Sequence, residues 1–299
     1  MFNSIFTIIT PSFNQGQYIE RTIKSVLSQG ISELEYLIFD GGSKDETVSV
    51  LKSFGNSISW VSEKDFGQAD AVNKGLKIAR GEIIGWLNSD DIYYPNVLST
   101  VIDIFKNKEI DVVYGMADHI DENENIIEPY YTQHWDYEIL KNVCFICQPA
   151  VFFRRSIIEK YGMLNDKLRY CMDYEYWLRI GKDKPFYYLQ EKIAGSRLYP
   201  ETKTLGSKVA VHEEILLMFK EIFHYIPSRW IYNYVHALLD NSGFKRDLPR
   251  ENLIYVNKMI RLCLMNFLKF KHYIPMSDIK LMTGWYTNAL KRSRETRTV

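Results

Sequence analysis

Apolar residues recur along this chain with two periods, and the change from one to the other divides it. In the first half, short β-rich runs alternate with stretches whose apolar positions repeat every three or four residues. Residues 5–9, 36–39, 58–61, 82–87 and 111–114 predict five strands. Between them, Ile19, Ile23, Val26 and Leu27 fall on one face of a helix. Ser43, with Glu46 three residues on, has the pattern of a capping box opening a second helix. Residues 68–79 predict a third, stopped by Gly81, and Pro95 marks the start of a fourth. Strands alternating with helices of this length predict an α/β domain with a mostly parallel sheet.

The pattern then loosens over residues 117–150. A short strand follows at 150–153, and a helix at 172–180 places Trp177 and Ile180 on the face of Asp173. After about residue 207 the periodicity is almost entirely helical. The expected organisation is an α/β domain over 1–206 and a C-terminal helical region over 207–299. In that region Trp230, Phe267, Phe270 and Tyr273 are interleaved with Lys and Arg. Such helices suit either ordinary packing or peripheral contact with a membrane surface.

Composition narrows the classes. The 37 Lys plus Arg balance 37 Asp plus Glu, which argues against a general nucleic-acid binder. The four Cys are scattered. Cys144 and Cys147 have CxxC spacing, but their neighbours are apolar and no second pair exists, so buried free thiols in a reducing cytoplasm are expected. No basic leader precedes the first apolar run, so no signal peptide is expected. No uncharged apolar run is long enough to predict a membrane-spanning helix. The expected location is cytoplasmic, with peripheral attachment at the inner face of a membrane allowed.

Three polar loops follow consecutive apolar strands: Thr10-Pro11-Ser12-Phe13-Asn14, Asp40-Gly41-Gly42-Ser43 and Asn88-Ser89-Asp90-Asp91. In a parallel sheet all three emerge on the same edge, where open α/β sheets bind ligands. The third places two carboxylates side by side. Like charges repel, so the pair suits a metal ion or polar ligand, although Asn, Ser and Asp also dominate solvated turns.

These segments, in order, resemble a family 2 glycosyltransferase of the GT-A fold, over roughly residues 5–205. The remaining matches run from Gly67 through Asn73-Lys74-Gly75, over Gly81-Glu82-Ile83-Ile84, and from Met172-Asp173 to Arg179. The resemblance implies a Rossmann-like mixed sheet flanked by helices. It also implies inverting hexosyl transfer from a nucleoside-diphosphate sugar, with UDP favoured. Because the chain shows no spanning helix and no Gln-x-x-Arg-Trp element of the processive synthases, non-processive transfer is expected. A glycan or lipid-linked acceptor of bacterial surface-glycan type would receive the sugar. Pro11, Phe13, Asn14, Asp40, Gln68, Asn73 and Asp90 match donor-binding positions. Asp91 matches the ligand of Mg²⁺ or Mn²⁺, and Asp173 the catalytic base.

Two departures stand out. Val72 precedes Asn73 where many members carry a basic residue. Tyr199 stands where many carry a metal- or diphosphate-binding His, which leaves Arg197 and Lys203 as candidate diphosphate contacts. Two other readings are a sugar-phosphate nucleotidyltransferase, disfavoured because the first loop carries no Arg or Lys, and a non-catalytic nucleotide- or glycan-binding protein.

Overall fold

A computed structural model describes residues 5–200, 202, 206–244 and 248–295. The chain forms two compact units, residues 1–200 and 201–299.

The first unit is built on a nine-stranded sheet. Its strands are β1 (Phe6–Ser12), β2 (Leu34–Asp40), β3 (Ser59–Ser62), β4 (Ile83–Trp86), β5 (Ile92–Tyr93), β6 (Val112–Ile120), β7 (Ile126–Pro129), β8 (Val151–Arg154) and β9 (Tyr187–Arg197). The order is β3-β2-β1-β4-β8-β6-β9-β5, with β7 paired to β6. The first four strands are mutually parallel. Beyond β4 the sheet is mixed: β8 runs antiparallel to both β4 and β6, and β9 runs parallel to β6. The parallel half follows from the βαβ periodicity. The antiparallel half has weaker alternation, which is why β5, β7 and β9 escape the sequence pattern.

Helices cover both faces. Ile8, Tyr36 and Ile38 share a core with α1 (Ile19–Leu27), α2 (Thr47–Ser53) and α4 (Val97–Phe105). On the other face α3 (Gln68–Ile78) lies so close to β1 that a Cβ on Gly75 would sit 2.6 Å from Ile9 Cγ2. Gly75 is therefore a spacing residue. Short helices α5 (Tyr137–Leu140) and α6 (Ser156–Tyr161) precede α7 (Met172–Gly181), whose buried face carries Trp177 and Ile180.

Two local expectations are corrected. Strand β1 extends to Ser12, so Pro11 lies in the sheet, opposite Phe39 of β2. Proline is tolerated because β4 pairs with β1 only as far as Ile9 and Trp86, so no strand on that side needs its missing N–H. Ser43 does not cap α2. The helix starts at Thr47, and Ser43 Oγ is engaged by the loop before it.

The second unit is helical, with helices over Lys208–Met218, Ser228–Asn241, Pro249–Lys271 and Met276–Glu295. Its core includes Leu216, Phe219, Ile231, Val235, Cys263 and Phe267. Among the described residues no helix is long and apolar enough to cross a membrane.

Candidate active site

The first two strand-end loops are stitched together by their own backbone. Asn14 N donates to Ser43 Oγ at 2.7 Å, Gln15 N to Thr47 Oγ1 at 2.9 Å, and Gly16 N to Asp45 Oδ2 at 2.9 Å. In return Lys44 N donates to Asn14 Oδ1 at 2.9 Å. Asn14 takes a left-handed conformation to make this turn, with φ 51°, and Asn tolerates that region better than most residues.

Asp40 closes the second loop from inside. Its Oδ2 accepts from Gly42 N, Ser43 N and Ser62 Oγ, and Oδ1 accepts from Ser43 Oγ. The carboxylate is buried. It therefore acts on the loop's shape first. A base contact is left only the second lone pair of Oδ1. Pro11 is likewise buried, whereas Phe13, two residues on, is 60% exposed. The sequence reading missed Asp65. Its carboxylate lies against Gly41, where an added Cβ would sit 2.9 Å from Oδ2.

The third loop is organised by Asn88. Its Oδ1 accepts from Gln68 Nε2 at 2.7 Å and Trp86 Nε1 at 2.9 Å. Its Nδ2 donates to Gln148 Oε1 at 2.8 Å and Asp91 Oδ2 at 3.2 Å. All four capacities of the amide are used. One side chain thus ties the start of α3, the end of β4, the approach to β8 and the acidic pair. Asn88 and Gln148 were not among the site residues expected from sequence.

The two acids are unequally buried. Asp91 is only 4% exposed. Its Oδ1 accepts from Arg197 N at 2.9 Å and its Oδ2 from Asn88. Burial, and then the neighbouring Asp90 charge, push its pKa well above the ordinary carboxylate range. Asp90 is half-buried, and its Oδ2 accepts from the Tyr199 hydroxyl at 2.8 Å. Of the pair, Asp90 is the less buried acid.

Arg197, expected as a diphosphate contact, is turned inward. Its side chain is buried. Nε donates to Asp90 O, the Nη1 group to Asp121 O and Glu122 O, and Nη2 meets Glu124 Oε1. It fixes the acidic loop from behind. Asn73 makes a paired bond with the Leu164 backbone, N–H to Oδ1 at 3.0 Å and Nδ2 to O at 2.9 Å, and is buried there rather than turned to a donor. Lys203 lies outside the described residues.

Tyr199 occupies the position expected for a His. Its hydroxyl accepts from Gln15 Nε2 at 3.1 Å while donating to Asp90. Burial and the Asp90 charge raise its pKa, so the phenol stays protonated and acts as a donor, not as an anionic ligand. This contact links the first loop to the third.

Asp173 lies in the first turn of α7, half-exposed. Its charge raises the thiol pKa of Cys144 and Cys147, after burial as the larger cause, and Asp91 does the same to Cys147. Asp173 and Asp91 thus both act electrostatically on Cys147. The four Cys are free thiols.

Among the described residues no group of three or more His, Cys, Asp and Glu forms a ready cage for a metal. Magnesium-type cations need none. They take one or two carboxylates and complete their shell with phosphate and water. The carboxylates of Asp90 and Asp91 are hard oxygen donors of the kind that such a shell uses.

Comparison with known proteins bears on this geometry. The model of glycosyl transferase family 2 matches residues 7–162, just over half of the chain. An uncharacterized glycosyltransferase of Rickettsia prowazekii is 25% identical over 97% of this chain and 90% of its own length. The chondroitin synthase of Escherichia coli is 27% identical over 83% of this chain but only 36% of the synthase. Among solved structures, S. aureus TarS 1–349 in complex with UDP-GlcNAc superposes with a TM-score of 0.59, at 15% identity, over 97% of this chain and 92% of that one. The mannosyltransferase PcManGT of Pyrobaculum calidifontis, in complex with GDP-Man and Mn²⁺, gives a TM-score of 0.59 at 14% identity, over 97% and 86%. The fold is thus that of GT-A glycosyltransferases, the matched segment contains all three strand-end loops, and this chain belongs to glycosyl transferase family 2.

Proposed function

We propose that this glycosyltransferase moves one sugar per turnover from a nucleoside-diphosphate donor, a UDP-sugar by preference, to an acceptor hydroxyl, with inversion. The acceptor we favour is a glycan or lipid-linked intermediate of bacterial surface-glycan assembly. The observation that carries the reading is a chain of hydrogen bonds through the three strand-end loops: the second is bonded to the first, and the first is joined through Gln15 and Tyr199 to Asp90 of the third. The TarS complex with UDP-GlcNAc supports the donor class, and the Mn²⁺ of the PcManGT complex supports a cation.

Each group then has a task. Phe13 offers its exposed ring to the base. Asn14 and Asp40 fix the two loops that receive the nucleoside, and Gln68 positions Asn88. Mg²⁺ or Mn²⁺ held through Asp90 would neutralise charge on the departing diphosphate. Asp173 takes the proton of the acceptor hydroxyl as that oxygen attacks the anomeric carbon. The bond from that carbon to the diphosphate oxygen breaks, and its electron pair leaves with the nucleoside diphosphate.

The test is release of nucleoside diphosphate from UDP-sugars with Mn²⁺, with and without acceptor. Asp173→Asn is expected to lower transfer by about 10²–10⁴-fold while nucleotide binding persists. Transfer retained by Asp173→Asn removes that residue from the base role. Absence of any nucleoside-diphosphate binding in the presence of Mn²⁺ defeats the reading as a whole.

A further inference from the structure

Charge is divided unevenly along the chain. Residues 1–200 carry 21 Lys plus Arg against 28 Asp plus Glu, whereas residues 201–299 carry 16 against 9. The zero net charge of the whole conceals an acidic sheet unit and a basic helical one. Within the helical unit the bias is sharper still. Residues 252–294 hold eight Lys and Arg and a single acid, Asp278. That acid is buried and accepts from Ser228 Oγ at 3.0 Å and Tyr232 OH at 2.5 Å, so it adds no negative charge to the surface.

The same segment exposes large apolar side chains in a defined place. On the Pro249–Lys271 helix, Ile254, Lys258, Arg261, Met265 and Leu268 are all exposed. They follow one another by four, three, four and three residues, which puts them on one side of the helix. Beyond the helix, Tyr273 in the turn and Met276 at the start of the next helix are exposed as well. The five apolar side chains are 54% to 67% exposed. Lys269, beside the stripe, meets Glu213 at 3.7 Å and remains more than half exposed.

We propose that this stripe and turn dock the helical unit on an anionic lipid surface. A helix with large apolar groups interleaved with Lys and Arg, and without exposed acids, can bury the former among acyl chains and keep the latter at the headgroups. A soluble polyanion would satisfy the basic residues but would give the exposed Leu, Tyr and Met nothing to bury against. The proposal does not depend on the reaction assigned to the sheet unit.

Cosedimentation of the full chain with vesicles tests it. Binding is expected to phosphatidylcholine vesicles containing phosphatidylglycerol, to weaken with added salt, and to be slight for phosphatidylcholine alone. The combined change Leu268→Ser, Tyr273→Ser and Met276→Ser is expected to weaken binding by about tenfold or more. Lys258→Gln and Arg261→Gln are each expected to weaken it by about fivefold. All these positions are exposed, and nucleotide binding by the variants reports that the chain remains folded. Failure to sediment with the anionic vesicles overturns the proposal. So does unchanged binding by the triple variant, which would make the surface a simple polyanion site.

Discussion

At opposite ends of the parallel strands β1, β2 and β4, the buried carboxylates of Glu35 and Asp91 are held differently. At the amino-terminal end, Glu35 accepts from Thr7 Oγ1 at 2.6 Å, Arg80 N at 2.8 Å and Arg80 Nε at 2.6 Å. Burial draws its pKa upward, but the Thr7 and Arg80 hydrogen bonds together outweigh that and hold it below the ordinary range. At the carboxyl-terminal end, Asp91 accepts from a peptide N–H and an amide, and Asp90 stands beside it. Burial and the like charge raise its pKa, against smaller opposing effects from Arg197 and Asn88. One end joins its acid to a cation and gains stability. The other leaves negative charge crowded at the mouth of the loops, a cost that a bound cation can offset.

The sharpest way to break this comparison is to remove one acid from each end. Asp90→Ala is expected to lower transfer by about 10²–10³-fold, the scale of losing several kcal/mol of charge stabilisation, with little change in thermal stability. Asp91→Asn should keep its cation dependence. If Asp91→Asn loses that dependence while Asp90→Ala keeps it, the metal returns to Asp91, as the family resemblance first implied.

Glu35→Ala should do the reverse. It leaves the Thr7 hydroxyl and the Arg80 N–H without their acceptor, at a cost of about 2–3 kcal/mol. Melting of the sheet unit is expected to fall by about 5–10 °C, with activity intact at low temperature. A pH series sharpens the contrast. Because the Glu35 pKa is lowered by folding, its stabilisation is fully present above the unfolded value. It is lost as pH falls through the folded one. The gap in stability between the parent chain and Glu35→Gln should therefore be flat near neutrality and narrow below about pH 4. A gap that widens in acid would contradict the assignment.

The same contrast explains what could be read from the sequence. Asp40 is closed by Gly42 and Ser43, two and three residues away, so its loop announces itself as a motif. Asp91 is closed by Arg197, 106 residues on, and Asn88 reaches Gln148 across 60. No local pattern encodes those distances. The βαβ half was legible because each strand and helix carries its own period. The antiparallel half was not, because β5 spans two residues and β9 takes its place from β6. The acidic pair was legible as a candidate site, but which of its carboxylates the distant Arg197 backbone captures was not.

The smallest effect tests the link between loops. Tyr199→Phe removes the 2.8 Å bond to Asp90 and the 3.1 Å bond from Gln15, yet leaves the Asp90 backbone held by Arg197 Nε at 2.7 Å. The carboxylate should therefore stay in place but lose its preferred orientation. The Mn²⁺ concentration for half-maximal activity is expected to rise by about threefold to tenfold, with kcat nearly unchanged. Tyr199→His distinguishes orientation from ligation. If the phenol only orients Asp90, an imidazole at hydrogen-bonding reach restores part of the loss. If His instead tightens Mn²⁺ beyond the parent chain, it has become a ligand in its own right. A fall in the Mn²⁺ requirement on Tyr199→Phe would mean that the hydroxyl competes with the cation for Asp90, and the bond between the loops would then be a brake on loading the site.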